Sequence, residues 1–255
     1  MLERRYFSDD QVAAFRRDGF IAVPGLLGAE AVRRVTEWTK ELQGLPETPG
    51  RHMVYYEDSL AVPGSRVLSR IENFCPFHAG FDSLVNSEEM LGRVGELFGE
   101  DALLFKEKIN FKMPGADGFT PHQDVQAGWS VYASLFITVL VSIDEATAEN
   151  GCLELAPRGP LRGLTGEDWR PLNEEELAEV DFVPCPTRPG DALFFDSLTP
   201  HRSHRNLTDA SRRVLYVTYN RRSEGDHRAQ YYADKRRSFP PDVERQPDRE
   251  YVFRV

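Results

Sequence analysis

Two histidines and one aspartate set the strongest constraint on how this chain can fold. His122 and Asp124 stand one residue apart in Pro121-His122-Gln123-Asp124, and a second histidine follows 79 residues later in Pro200-His201-Arg202-Ser203. Two imidazoles and one carboxylate can grip one face of a metal ion and leave the other face open, the ligand set of a non-haem Fe(II) oxygenase. For that set to form, the fold must bring position 201 back beside position 122. Arg212, eleven positions beyond the second histidine, is the kind of residue such a site uses to anchor the far carboxylate of 2-oxoglutarate. An isolated His-x-Asp is most often a surface turn; the distal histidine and arginine change that reading.

The rest of the chain is compatible with one β-rich unit. Ser8-Asp9-Asp10-Gln11 opens a capped helix toward Arg17, Asp18-Gly19 stops it, and Phe20 to Val23 reads as a short buried strand. A second amphipathic helix runs from Gly28 to Leu42 and a third from Glu88 to Phe98, while residues 44–66 read as a long loop. From residue 102 the texture changes to short apolar or alternating runs: 103–105, 109–111, 135–143, 153–155, 182–183, 192–195 and 214–219. Pro114-Gly115, Asn150-Gly151 and Pro189-Gly190-Asp191 punctuate them, a pattern that indicates a sandwich or barrel. The expectation is a mainly β fold with flanking helices, a double-stranded β-helix or cupin-like jelly roll. Residues 1–255 form a single domain in this reading: a helical N-terminal region over 1–100, the jelly roll over 101–220 and an extension over 221–255.

Composition excludes several function classes. A net charge of -10 disfavours nucleic acid, whose phosphates call for a positive face. No apolar run approaches the roughly 20 residues of a membrane span, and Met1-Leu2-Glu3-Arg4-Arg5-Tyr6 has no apolar leader core. Cys75, Cys152 and Cys185 are isolated and odd in number, which favours reduced thiols and a cytoplasmic setting. Ten arginines and lysines nevertheless crowd residues 201–237, directly after the second metal histidine, so an anionic substrate is compatible with the charge.

Taken in order, these segments resemble the phytanoyl-CoA dioxygenase family of Fe(II)/2-oxoglutarate oxygenases. The likeness runs from Phe7 to Leu27 through Phe111-Lys112-Met113-Pro114-Gly115, the His-x-Asp, Asn150-Gly151-Cys152-Leu153 and the Pro-Gly-Asp strand. It ends on His201 with its trailing Ser203, Asn206 and Arg212. The resemblance implies that His122, Asp124 and His201 ligate Fe(II), with His204 the competing distal candidate. It implies that Arg212 pairs with 2-oxoglutarate while Arg213 points to the opposite side of the strand. Ser203, Asn110 and Thr138 fall where related enzymes place further cosubstrate contacts, although each reads equally well as a strand residue. O2 is the remaining cosubstrate, and Asp124, in place of a small residue, favours hydroxylation over halogenation.

Substrate is less legible. Ser69-Arg70-Ile71-Glu72-Asn73-Phe74 and the stretch from Tyr219 to Asp242 resemble the branch that hydroxylates 2-aminoethylphosphonate and its N-methylated relatives beside phosphorus. Arg70, Asn73, Lys108 and Arg221 are candidate partners for the anion. Tyr55 is a candidate for a cationic end and Trp129 for a cavity wall. The expected partner is thus a small zwitterion or anion, bound by a monomer or homodimer. Two alternatives stand: hydroxylation of an amino acid, a betaine or a natural-product intermediate, and a non-catalytic metal-binding jelly roll.

Overall fold

The computed structural model describes residues 5–158, 163–178 and 180–252, so the leader reading at Met1–Arg4 lies outside the described residues. Helix α1 (Asp9–Asp18) is fixed by reciprocal bonds: the Ser8 side chain accepts from the Gln11 backbone, and the Gln11 side chain accepts from the Ser8 N–H. It stops at Gly19, whose φ of 85° is left-handed and suits glycine. Strand β1 (Phe20–Val23) follows, then α2 (Ala29–Gly44), which buries Val35, Thr39 and Leu42.

The segment 44–66 is not a plain loop, because it contains β2 (Met53–Asp58), hairpinned to β3 (Arg66–Glu72). A bulge between Tyr55 and Tyr56 breaks the register, and β3 buries Arg70 and Glu72, so neither strand shows the polar-out alternation that marks a strand in sequence. Helices α3 (Ala79–Val85) and α4 (Glu88–Phe98) lead into β4 (Ala102–Lys112). Where the sequence suggests two short strands, β4 is one run, because the charged Lys106 and Glu107 in its middle are buried rather than looped out.

The remaining strands are β5 (Phe119–His122), β6 (Phe136–Ser142), β7 (Leu153–Leu155), β8 (Val183–Cys185), β9 (Ala192–Asp196), β10 (His201–Ser203) and β11 (Arg212–Arg221). Helix α5 (Arg228–Ser238) completes the C-terminal extension. A seven-stranded sheet runs β1-β9-β6-β11-β4-β3-β2, and a four-stranded sheet runs β5-β10-β7-β8. All pairings are antiparallel. This is the expected jelly roll, with β1, β2 and β3 of the N-terminal region woven into its larger sheet.

Alternation along the large sheet separates two interiors. Ile109 and Phe111 on β4, Ile137, Val139 and Val141 on β6, Phe194 on β9, and Leu215, Val217 and Tyr219 on β11 pack against the helices. Between the sheets, Leu140, Leu193, Phe195, Val214 and Tyr216 meet Leu153 and Leu155 of the small sheet. A third cluster closes one end: Met53, Tyr55, Phe105, Trp129 and Phe136 pack against Tyr231 and Tyr232 of α5. Phe194 is fully buried with its ring 5.5 Å from that of Phe7. Phe194→Ala should therefore cost about 3–5 kcal/mol, read as a lower urea midpoint with an unchanged m-value.

Candidate active site

The two metal histidines meet because β10 pairs with β5, placing His201 directly opposite His122. Their ring centroids are 4.3 Å apart. His122 ends β5, and Asp124 begins a tight turn over Asp124–Ala127 that folds its carboxylate back toward the histidines. One ligand atom from each of His122, Asp124 and His201 lies within 4.8 Å of the others.

Backbone carbonyls set the tautomers. The Nδ1 of His122 lies 2.7 Å from the Thr120 carbonyl and that of His201 lies 2.9 Å from the Thr199 carbonyl. Each Nδ1 therefore carries the proton it donates, and each Nε2 keeps its lone pair for a metal. Burial, then the neighbouring His201, pulls His122 down to about 3, and burial lowers His201 as well. Burial alone would raise Asp124, but His201, Lys108 and His122 outweigh it and hold the carboxyl ionised. Two neutral imidazoles and one carboxylate are the protonation state metal binding requires. The Thr138 hydroxyl, itself 2.9 Å from that of Thr218, donates to the second Asp124 oxygen at 3.3 Å.

The surrounding loops are tied together by buried polar side chains. Gln123, fully buried between the two ligands, donates to the carbonyls of Gly163 (3.1 Å) and Leu198 (2.6 Å) and accepts from the Thr165 N–H (2.7 Å). Gln126 reaches the carbonyls of Glu167 and Arg170 and caps the Gln123 N–H. Asp196, at the end of β9, accepts from Arg158 at 2.6 Å and from the Thr199 hydroxyl and Leu198 N–H at 3.0 Å. Gly19 packs so close that an added Cβ would stand 2.3 Å from the Thr199 hydroxyl oxygen. The Asp-Gly stop of α1 thus braces the turn that delivers His201.

A cavity opens beside the three ligands. Besides them, its lining includes Lys108, Asn110, Trp129, Thr138, Ser203 and Tyr216. Arg212 and Arg213 diverge as alternation dictates. Arg213 is held by Asp144 at 2.7 Å, whereas Arg212 is fully buried and its Nε and Nη1 have no hydrogen-bond partner. Neutral Nε2 atoms with an ionised carboxylate fit a divalent metal. The two unpartnered guanidinium nitrogens, on a residue that interacts with Tyr216 of the cavity wall, fit a carboxylate.

Not every sequence candidate reaches the cavity. Lys108 and Trp129 line it, but Tyr55, Arg70, Asn73 and Arg221 do not, and Arg212 stands outside the lining, interacting with Tyr216 that is part of it. Arg221 ends β11 beside Glu100, with its guanidinium 5.3 Å from the Phe98 ring centre. Asn73 accepts from Arg228 and takes a positive φ at the close of β3. Arg70 is bound to Glu72 at 2.9 Å and stacks over Tyr55, whose hydroxyl donates to the Phe239 carbonyl. His204, the competing ligand, faces solvent and pairs with Glu154. Sequence reasoning assigns no role to Lys112, Gln123, Gln126 or Tyr216. Only the position of Gln123 inside the His-x-Asp hints at one.

Comparison with known proteins places this arrangement. A family model described as phytanoyl-CoA dioxygenase (PhyH) matches residues 15–214. The chain is 41% identical over 247 residues to a 2-aminoethylphosphonate dioxygenase of uncultured bacterium HF130_AEPn_1, covering 96% of this chain and 94% of that one. It is 40% identical over 233 residues to a methylphosphonate hydroxylase of Gimesia maris, covering 91% and 88%. Among solved structures, EctD from S. alaskensis with 2-oxoglutarate and 5-hydroxyectoine superposes with a TM-score of 0.71 at 22% identity, covering 86% and 77%, and shares the fold.

The distal ligand is open to a direct test. His201→Ala should abolish Fe(II) binding in calorimetric titration while leaving far-UV circular dichroism unchanged, and His204→Ala should bind metal as the parent does. The reverse pattern would move the ligand to His204.

Proposed function

Because the chain belongs to the phytanoyl-CoA dioxygenase family, we propose that it hydroxylates a small phosphonate, of the 2-aminoethylphosphonate type, at the carbon next to phosphorus. The enzyme is an Fe(II)- and 2-oxoglutarate-dependent dioxygenase, and its substrate is a small molecule. With the iron bound, 2-oxoglutarate and O2 supply oxidative decarboxylation to succinate and CO2 coupled to insertion of oxygen into a C–H bond. The protein supplies placement. His122, Asp124 and His201 hold the iron, and Thr138 and Thr218 fix the Asp124 carboxylate. Arg212 takes the distal carboxylate of 2-oxoglutarate with Ser203 and Tyr216 beside it, and Asn110 offers its amide to the bound groups.

The observation that carries the substrate reading is the set of cations behind and along one cavity wall, of which Lys106 and Lys108 act on Asp124. Glu72 is met by Arg70 at 2.9 Å and Lys235 at 2.7 Å, while Lys106 lies 5.0 Å from the Trp129 ring centre and donates to the Tyr231 hydroxyl. Lys108 faces the cavity and makes no hydrogen bond to a described residue. Burial, then Lys106, pulls its ammonium down to about 7. Its charge is met within the cavity only by Asp124 and by the face of Tyr216, 4.9 Å away, and a phosphonate would add a directly hydrogen-bonded anionic partner. The names of the two phosphonate-acting relatives support the same chemistry. Asp124 is the sole carboxylate in the described lining.

Residues 1–255 act as one oxygenase domain in this reading, as a monomer or homodimer. The three free cysteines suit the cytoplasm. Among the described residues no helix is long and apolar enough to cross a membrane.

Incubation with 2-aminoethylphosphonate or methylphosphonate, Fe(II) and 2-oxoglutarate in air should give a new phosphorus NMR signal matched by succinate. Rapid succinate formation on an amino acid or betaine, with no such signal, would overturn the phosphonate assignment and leave the hydroxylase. A charge-assisted hydrogen bond contributes about 1.5–3 kcal/mol, so Lys108→Met should raise the phosphonate KM roughly ten- to hundred-fold. Removing one partner of a buried ion pair costs about 3–5 kcal/mol, so Arg212→Ala should weaken 2-oxoglutarate by roughly two to four orders of magnitude. Arg213→Ala, whose partner is Asp144, should leave it nearly unchanged.

A further inference from the structure

The Phe111-Lys112-Met113-Pro114-Gly115 segment has so far no function. Lys112 stands directly across from Arg212 in the β4–β11 pairing, and both side chains are almost fully buried, at 2% and 1% exposed. Neither makes an ion pair with a described residue. Lys112 Nζ instead donates to the Ser203 hydroxyl oxygen at 2.8 Å and to the His204 carbonyl. Gly151 leaves room for this, since an added Cβ would stand 2.1 Å from that carbonyl and 3.0 Å from Nζ. The Lys112 carbonyl is fixed by the Asn206 amide at 2.9 Å. Two like charges are thus held side by side in a dry pocket, and burial, then Arg212, pulls the Lys112 ammonium down to about 7.

An ammonium group has donors only, whereas a hydroxyl has one donor and two acceptor sites. When Lys112 takes a lone pair of the Ser203 oxygen, the hydroxyl hydrogen must point elsewhere. Ser203 lines the cavity beside Tyr216 and Asn110, so that hydrogen is available to a group bound there. We infer that Lys112 is a positioning residue for the cosubstrate: it aims the Ser203 hydroxyl at the distal carboxylate of 2-oxoglutarate and adds a second positive charge behind it. This rests on the reading that Arg212 receives that carboxylate. Lys112 further ties β4 to Ser203, the last residue of the strand that His201 opens.

The test is binding rather than turnover. Mn(II)-loaded protein is titrated calorimetrically with 2-oxoglutarate and, separately, with 2-oxovalerate, which lacks the distal carboxylate. Lys112→Met should raise the 2-oxoglutarate Kd by roughly tenfold or more and leave the 2-oxovalerate Kd within about twofold. Lys112→Gln, which keeps a donor for Ser203 without the charge and is the gentler change to the fold, should fall between Met and the parent. In Lys112→Met, the further change Ser203→Ala should cost much less than it costs in the parent. An unchanged 2-oxoglutarate Kd in both variants, or equal losses for the two 2-oxo acids, overturns the inference. Arg212→Ala in the same titration separates the two readings. If it leaves 2-oxoglutarate affinity intact, the cosubstrate site itself is misplaced. If it weakens affinity while the Lys112 variants do not, only the role of Lys112 falls.

Discussion

Everything at the iron ligands depends on the turn between β9 and β10. Asp196 gathers Arg158, the Thr199 hydroxyl and the Leu198 N–H, Gly19 presses against Thr199, and Gln123 grips the Leu198 carbonyl. The Val125 N–H donates to the Ser197 carbonyl, so the turn also holds the segment that carries Asp124. These groups are buried and mutually bonded, and a satisfied buried network admits few alternative geometries. The imidazole of His201 inherits that rigidity through the Thr199 carbonyl.

The same strands that pack oil against the helices present charge to the barrel interior. Along β4, Ile109 and Phe111 face the helices, while Lys108 and Asn110 line the cavity and Lys112 meets Ser203. Such a polar inner face is expensive, and the chain offsets some of the cost locally. Glu72 balances some of the cations, aromatic rings cover others, and Tyr231 bonds Lys106. What is left over is positive charge with no ion-pair partner among the described residues: Lys108 on the cavity wall, and Arg212 beside Tyr216 with two guanidinium nitrogens unpartnered.

Much of this was legible in the sequence where a short local rule governs it. The Arg212–Arg213 divergence follows from strand alternation, whereas Asp124 reaches the histidines through the turn at Asp124–Ala127 and the distal histidine was legible only through the family resemblance. The hairpin of β2 and β3 was hidden because its bulge at Tyr55 and Tyr56 breaks the period and because Arg70 and Glu72 point inward. Site residues carried over by resemblance do not carry side-chain direction with them. Arg221 and Asn73 sit in a distinctive stretch yet serve Glu100 and Arg228. Gln123, Gln126 and Lys112 act through bonds to loops dozens of residues away, and no local pattern announces such bonds.

Helix α5 lies beyond the region matched by the family model, which ends at residue 214. Its Tyr231 nevertheless packs against Trp129, a cavity wall, and its Lys235 reaches Glu72. The cavity wall at Trp129 is thus braced from behind by a late piece of chain, while His122, Asp124, His201 and Arg212 all precede it. A change in α5 therefore acts on the wall at Trp129 from behind, while the backbone bonds that orient His122 and His201 lie in other segments.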